Sequence, residues 1–192
     1  VNLVGGVQVY YNGRKDIKFY FSILDTEEKN AWACPGGYIF ITKGLLLSLN
    51  NEAELAAVLA HEIAHVNMRH VYNKVKAVRG EEMPDMIASM LSSKHVMITM
   101  AFNEMVEKGL EVMFKKGLEQ DEEKEADIAT LFYLKNSGYN QKVYYALLKK
   151  HKYDSKTHQT TKDRLSTVKK YTDKKQPNRQ LLAKRFNAYV EK

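Results

Sequence analysis

The first fifty positions alternate between short apolar runs and turn-forming residues, which is the pattern of a small β-sheet. The segment 17–24 (IKFYFSIL) is rich in β-branched and aromatic residues, and 30–34 (NAWAC) and 38–42 (YIFIT) have the same character. Such runs predict strands, and the Pro-Gly-Gly at 35–37 predicts a turn between the last two. We therefore expect a small antiparallel sheet, followed by a short helix over residues 42–50.

From residue 51 the apolar positions recur with the period of a helix. Asn51, with Glu54 three residues later, has the spacing of a capping box. The apolar stripe that follows consists of Leu55, Val58, Leu59, Ile63 and Val66. It predicts a helix over residues 51–75. Further helices are predicted over residues 119–136, 140–153 and 178–191. The expected fold class is α+β and mostly helical, with the small sheet packed on the helix at 51–75 and on a following helical bundle.

Residues 84–118 are unusual because seven of the eight methionines lie between positions 83 and 113. Methionine is an adaptable side chain, common where a surface repacks. The segment is interpreted either as helix packed on the core or as a cover over a cleft. No internal repeat is evident, and we interpret residues 1–192 as one domain. Its parts are a sheet and lead-in (1–50), a central helix (51–75), the Met-rich segment (84–118), an acidic helix (119–136) and a basic helical part (137–192).

Charge is divided unevenly along the chain. Residues 1–140 carry 15 Lys and Arg against 19 Asp and Glu, whereas residues 141–192 carry 15 against 4. The basic part is interpreted as a solvated lysine-rich face, or as a surface that meets nucleic acid, anionic lipid or an acidic partner. Nucleic acid is not expected as a partner, since no nucleic-acid-binding motif is present.

The sequence gives little information on compartment. Cys34 is the single cysteine, so no disulfide can form within the chain. There is no apolar run of about 18 residues and no basic-then-apolar leader. Because the chain begins with Val, we interpret it as a processed or trimmed product, which leaves room for an upstream signal or anchor.

Several ionisable residues lie within the apolar segment of the central helix, in the stretch AAVLAHEIAHVNMRH at 56–70. His61 and His65 are four residues apart and share one helix face, so they can hold one metal ion. Glu62 cannot join them on that face, but its carboxylate can reach a water molecule at the metal. This is the metalloprotease pattern H-E-x-x-H. A shuffled chain of this composition would contain it only about 0.015 times, so satisfied structural histidines are the less favoured interpretation.

Zinc in such a site needs a third protein ligand and one open position. The metzincin arrangement would place Gly and His where this chain has Met68 and Val71. His70 is five residues past His65 and is expected on another helix face. A carboxylate from the acidic cluster at 122–127 (EEKEAD) is the alternative, because the end of this cluster turns toward apolar residues and needs a partner there. The spacing alone leaves the choice within the cluster open.

Taken together, these motifs resemble the gluzincin peptidase family that includes the CAAX prenyl protease, HtpX and the β-barrel assembly-enhancing protease. HEIAHVNMRH followed by EKEAD carries the resemblance. NAWACPGGYIFITKGLL at 30–46 is similar to the family's segment before the metal helix. THQTTKDRL at 157–165 is similar to a downstream Thr-His-Pro…Arg-Leu motif, with Gln159 in place of the Pro. The resemblance is closest to the soluble, periplasmic branch and implies a zincin-like fold.

The resemblance also implies roles for individual residues. The implied ligands of one Zn²⁺ per chain are His61, His65 and Glu123. Asp127 would orient a zinc-bound histidine, whereas Glu122 and Glu125 would lie on other helix faces. His158 and Arg164 would lie near the metal.

The expected activity is that of a zinc metalloendopeptidase with Glu62 as general base. Arg164 or His158 would stabilise the oxyanion. For Arg164 the alternative is a structural salt bridge. For His158 the alternatives are a place as fourth ligand that holds the enzyme off, and an ordinary exposed histidine in a loop. The candidate edge for a peptide substrate added as a strand comprises Asn30, Ala31, Trp32 and Ala33. Core packing is the alternative for Trp32.

Unfolded or misassembled proteins are the expected substrates, cleaved in envelope quality control. The expected location is periplasmic or otherwise extracytoplasmic, with a membrane surface or an envelope assembly partner nearby. The alternative class is a non-catalytic, chaperone-like module that keeps the zinc site and holds client proteins.

Overall fold

The structure is a computed structural model that describes residues 1–77, 111, 117–150, 158 and 162–175. Its elements in chain order are α1 (Asn2–Asn12), β1 (Tyr20–Leu24), β2 (Ala31–Cys34), β3 (Tyr38–Thr42), α2 (Lys43–Ser48), α3 (Glu52–Met68), α4 (Gln120–Asn136), α5 (Lys142–Lys150) and α6 (Lys162–Tyr171). The fold is α+β and mostly helical, as predicted. The predicted helix at 178–191 and nearly all of the Met-rich segment lie outside the described residues.

The sheet has the strand order β1-β3-β2. β2 and β3 pair antiparallel across the turn at 35–37, as predicted. The prediction of a wholly antiparallel sheet is wrong, because β1 pairs with β3 in parallel, with Tyr20 opposite Tyr38. After β1 the chain crosses to the far edge, and β3 then enters between the other two strands. The direction in which two distant strands pair cannot be read from the local pattern of residues in either strand.

Helix α3 is buried along nearly its whole length and positions the site. Asn51 caps it, since its side chain accepts a hydrogen bond from the backbone N–H of Glu54 at 3.0 Å. The predicted helix over 51–75 is interrupted at Arg69. This residue has a left-handed φ of 62°, and its N–H turns back to the carbonyls of His65 and Val66. Helical backbone resumes at 70–77, so the chain is redirected just after the second histidine of the motif.

Helix α4 packs along α3 and brings the acidic cluster to it. Ala64 of α3 packs with Ala126 and Ala129 of α4, and small side chains at a helix contact let the two backbones approach closely. α1 is tied to the end of α4, where Gln8 Nε2 donates a hydrogen bond to Ser137 Oγ at 2.8 Å. Within the described ranges, no helix has both the length and the hydropathy of a transmembrane segment.

Candidate metal centre

Four side chains converge beside the middle of α3. Among the described residues, His61, His65, Glu123 and His158 each offer one ligand atom, and these atoms all lie within 4.8 Å of one another. The two α3 histidines come from successive turns, and Glu123 comes from the first turn of α4. The fold therefore brings the three predicted ligands together, with His158 beside them.

The geometry of these atoms suits a cation. Nε2 of His61 and Nε2 of His65 lie 3.0 Å apart. Glu123 places Oε2 at 3.3 Å from the first and Oε1 at 3.5 Å from the second. Burial, together with the neighbouring His61, holds the pKa of His65 well below its usual value, so this ring is neutral. Two imidazole nitrogens and one carboxylate form a donor set that zinc takes in catalytic sites, so the residues fit this metal.

The outer nitrogen of His61 is held by a buried chain of hydrogen bonds. Tyr144 Oη lies 2.9 Å from Nδ1 of His61 and donates to Oδ1 of Asp127 at 2.5 Å. Burial and the Asp127 charge raise the pKa of Tyr144 well above its usual value, so the hydroxyl keeps its proton. Since that proton goes to Asp127, the hydroxyl oxygen accepts from Nδ1–H of His61, which leaves Nε2 unprotonated.

Tyr144 is a site residue that the sequence interpretation missed. Asp127 itself lies 3.6 Å from Nδ1 of His61, so its closer connection to this ring runs through the Tyr144 hydroxyl. The sequence marks Tyr144 only as an aromatic residue on the buried face of α5, together with Leu147 and Leu148. That pattern is typical of ordinary core packing.

Arg164 is a buried cation shared by two carboxylates. Nε and Nη2 donate to Oδ2 and Oδ1 of Asp127 at 2.9 and 2.6 Å, and Nη1 lies 2.6 Å from Oε2 of Glu123. Burial alone would lower the pKa of Arg164, but Glu123 and Asp127 outweigh it and raise the pKa. The residue is only 1% exposed. These contacts are those of a buried ion pair, which is the alternative expected for Arg164 beside a role as oxyanion donor.

His158 contacts the centre through both ring nitrogens. Nδ1 lies 2.9 Å from Oε1 of Glu123, and Nε2 lies 3.6 Å from Oε1 of Glu62. Burial alone would lower the pKa of His158, but these two carboxylates outweigh it and raise the pKa to about 9. This position is compatible with both predicted roles, a fourth ligand and an oxyanion donor. Gln159, where the family's proline is replaced, lies outside the described residues.

Glu62 is buried next to the ligands. Within the described part of the chain, its Oε2 is a buried oxygen without a hydrogen-bond partner. A buried polar atom without a hydrogen bond lowers the stability of the folded protein. Such atoms are therefore often found where a ligand binds or a reaction takes place. Burial and the Glu62 charge also raise the pKa of Cys34 to about 11. The raised pKa keeps the Cys34 thiol protonated at neutral pH.

The predicted substrate edge is an edge of the sheet, but its side chains are buried. The four predicted residues, all nearly fully buried, are Asn30, Ala31, Trp32 and Ala33. The strand is therefore not openly exposed as expected, and Trp32 packs in the interior. Asn30 is fixed by Thr42, since its N–H donates to Thr42 Oγ1 at 3.0 Å and Oγ1 donates to its carbonyl at 3.0 Å. These low exposures include the backbone of each residue as well as its side chain.

His70 differs from the expectation that it faces away from His65. Its Nδ1 lies 2.9 Å from Nδ1 of His65, and its Nε2 lies 3.4 Å from Oε2 of Glu125. Glu122 and Glu125 stay outside the ligand cluster, as predicted. Glu122 instead accepts a hydrogen bond from the N–H of Glu119 at 2.9 Å and caps α4.

Comparison with known proteins gives the family. The sequence model of peptidase family M48 matches residues 10–172, which is most of the chain and includes the whole side-chain cluster. The chain therefore belongs to peptidase family M48. This membership and the His/Glu cluster support a metallopeptidase, in agreement with the family predicted from the motifs.

Several relatives match about a third of the chain. The mitochondrial metalloendopeptidase OMA1 of Schizosaccharomyces pombe is 38% identical over 68 residues, which are 35% of this chain and 20% of the relative. The beta-barrel assembly-enhancing protease of Escherichia coli is 35% identical over 71 residues, which are 37% of this chain and 15% of the relative. The beta-barrel assembly-enhancing protease of Yersinia pestis is 37% identical over 71 residues, which are 37% of this chain and 15% of the relative. The matched part of the chain thus spans a fifth or less of each relative.

Proposed function

We propose that the chain is a zinc-dependent endopeptidase with Zn²⁺ held by His61, His65 and Glu123. The proposal rests on one observation above all. These three side chains gather beside Glu62, whose buried Oε2 has no hydrogen-bond partner among the described residues. A metal donor set next to an unpaired buried base is the arrangement that peptide hydrolysis needs.

In this mechanism zinc, when bound, polarises the peptide carbonyl and makes water a better nucleophile. Glu62 accepts one proton from the attacking water as the water oxygen bonds to the carbonyl carbon. It returns that proton to the nitrogen when the C–N bond breaks. His158 is proposed to stabilise the developing oxyanion, or to hold the enzyme off as a fourth ligand. Arg164 is proposed to keep Glu123 and Asp127 in place.

The proposed substrates are unfolded or misassembled proteins that present an extended segment to the backbone edge of β2. A cleft of about 280 Å³ is lined by Cys34 at the end of β2, by His65 and by Arg69 and Tyr72. It adjoins the metal centre and can receive a substrate side chain. A role in envelope quality control, in an extracytoplasmic compartment, is proposed on the names of the bacterial relatives.

Glu62→Gln tests the proposal. We expect it to retain zinc and to lower the rate of casein cleavage about 10²–10⁴-fold, because a general base contributes that much. Glu122→Gln is the matched control, since this carboxylate caps α4 outside the cluster, and it should cleave casein like the wild type. Wild-type protein that binds zinc and suppresses client aggregation, but has no Glu62-dependent cleavage, would contradict the proposal and favour the chaperone-like module.

A further inference from the structure

We propose that His70 is a positioning residue of the metal centre, which accepts a hydrogen bond from His65 and so fixes the tautomer that presents Nε2 of His65 to the metal. The inference rests on the proposed zinc site and assigns a role to a residue outside the ligand set. Its starting point is the contact of 2.9 Å between the two Nδ1 atoms. Both residues are buried, and His70 is 5% exposed.

Counting protons gives the direction of this hydrogen bond. Two nitrogens 2.9 Å apart share one proton, so one of them donates and the other accepts. Nε2 of His65 faces the ligand cluster, at 3.0 Å from Nε2 of His61. It must be unprotonated to bind a metal. A neutral His65 then carries its proton on Nδ1, and Nδ1 of His70 is the acceptor. His70 consequently carries its own proton on Nε2, which faces Glu125.

The backbone is arranged for this contact. On a continuous helix a residue five positions further on lies about 140° around the axis, so His70 would point away from His65. The left-handed conformation of Arg69 breaks α3 at that point. A left-handed non-glycine residue is uncommon and is worth an explanation. Here the turn brings the His70 ring back to the outer side of His65, with the ring centroids 5.1 Å apart.

The two metal-site histidines thus receive different support. Nδ1 of His61 is hydrogen-bonded to the Tyr144 hydroxyl, which in turn donates to Asp127, and Asp127 is fully buried. Nδ1 of His65 contacts Nδ1 of His70, and Nε2 of His70 contacts Glu125, whose side chain is 66% exposed. A water-exposed carboxylate at 3.4 Å is readily replaced by solvent. The orienting function at His65 therefore belongs to His70 itself, and Glu125 contributes little.

The test compares two polar replacements that differ in where they place an oxygen. In His70→Asn the side-chain Oδ1 falls near the place of Nδ1 and can accept from His65. In His70→Gln the oxygen falls near the place of Nε2 and cannot. We expect zinc affinity, measured by competition with a chelating dye, to stay within about threefold in His70→Asn and to fall about 10–100-fold in His70→Gln. Glu125→Gln should stay within about threefold.

A second readout is independent of affinity and activity. In zinc-loaded wild-type protein, long-range ¹H–¹⁵N NMR correlations should show His65 protonated on Nδ1 and His70 protonated on Nε2. Equal zinc affinity in the Asn and Gln variants, or a proton on Nδ1 of His70, would overturn the inference while leaving the zinc site intact. Wild-type protein that binds no zinc would instead refute the proposed function, and the positioning role with it. The Asn variant also controls for folding, because both variants remove the imidazole.

Discussion

Arg164→Leu tests whether the metal centre is built on a buried ion-pair network. The substitution removes the guanidinium that neutralises Asp127 and contacts Glu123. Both carboxylates are almost completely buried, so solvent cannot replace the lost charge. Leucine fills much of the volume but provides no donor. Asp127 would lose this cation, whereas Glu123 would keep its contact of 2.9 Å with His158.

The expected cost follows from that geometry. Removing one partner of a buried ion pair typically destabilises a protein by about 3–5 kcal/mol, because an uncompensated charge stays behind. In a protein of 192 residues, each kcal/mol lowers the melting temperature by about 2–4 °C. We therefore expect Tm to fall by about 6–20 °C in the metal-free protein. Such a loss is a large part of an ordinary domain's total stability.

The assay is thermal and urea unfolding followed by circular dichroism, in the presence of a chelator so that no metal compensates Glu123. Lys169→Leu is the matched control, since this residue is exposed on the same helix, α6. It should change stability by no more than about 0.5 kcal/mol. If Arg164→Leu costs less than about 1 kcal/mol, Arg164 does not hold the two carboxylates, and the structural role assigned to it is wrong.

Three further predictions follow from single contacts. With the Cys34 pKa raised to about 11, iodoacetamide should label this thiol at pH 8 about a hundredfold more slowly in native than in urea-unfolded protein, and labelling should speed up as pH rises toward 11. Tyr144→Phe should weaken zinc binding about 10-fold or more in dye competition, because it removes the hydroxyl that orients His61. Gly37→Ala should lower Tm, because its φ is +87° and a Cβ would lie 2.1 Å from the Lys18 carbonyl oxygen, whereas helical Gly6→Ala, with nothing within 4 Å, should raise it.

Local patterns predicted most of the elements that carry the site. The strand at 38–42 has the predicted bounds, and the N-cap Asn51 caps α3 as its spacing with Glu54 indicates. α1 was not predicted, since two glycines and mixed polar residues in NLVGGVQVYYN weaken the helical pattern. The parallel pairing of β1 was also missed, because strand order is set by packing of distant segments.

In the candidate site, too, residues placed by local sequence spacing were predicted, whereas residues placed by tertiary packing were not. His61, Glu62 and His65 are fixed by spacing on one helix, so the sequence alone predicts their chemistry. Glu123 follows from the family resemblance, and the structure brings it to the two histidines. Tyr144 and His70 could not be predicted in this way. The first reaches His61 only through the packing of α5 on α3, and the second depends on a left-handed turn at an arginine, a residue type with no special preference for it.

Zinc stoichiometry in wild-type protein and in Glu123→Gln is the direct test of whether His61, His65 and Glu123 hold a metal ion. Both proteins would be loaded with zinc, dialysed against metal-free buffer and measured by elemental analysis beside their protein concentration. We expect about one zinc per wild-type chain and a large loss in the variant, whose neutral amide replaces one of three protein ligands. A folded wild-type protein that retains no zinc, or a Glu123→Gln variant that retains one zinc per chain with undiminished affinity, would contradict this expectation.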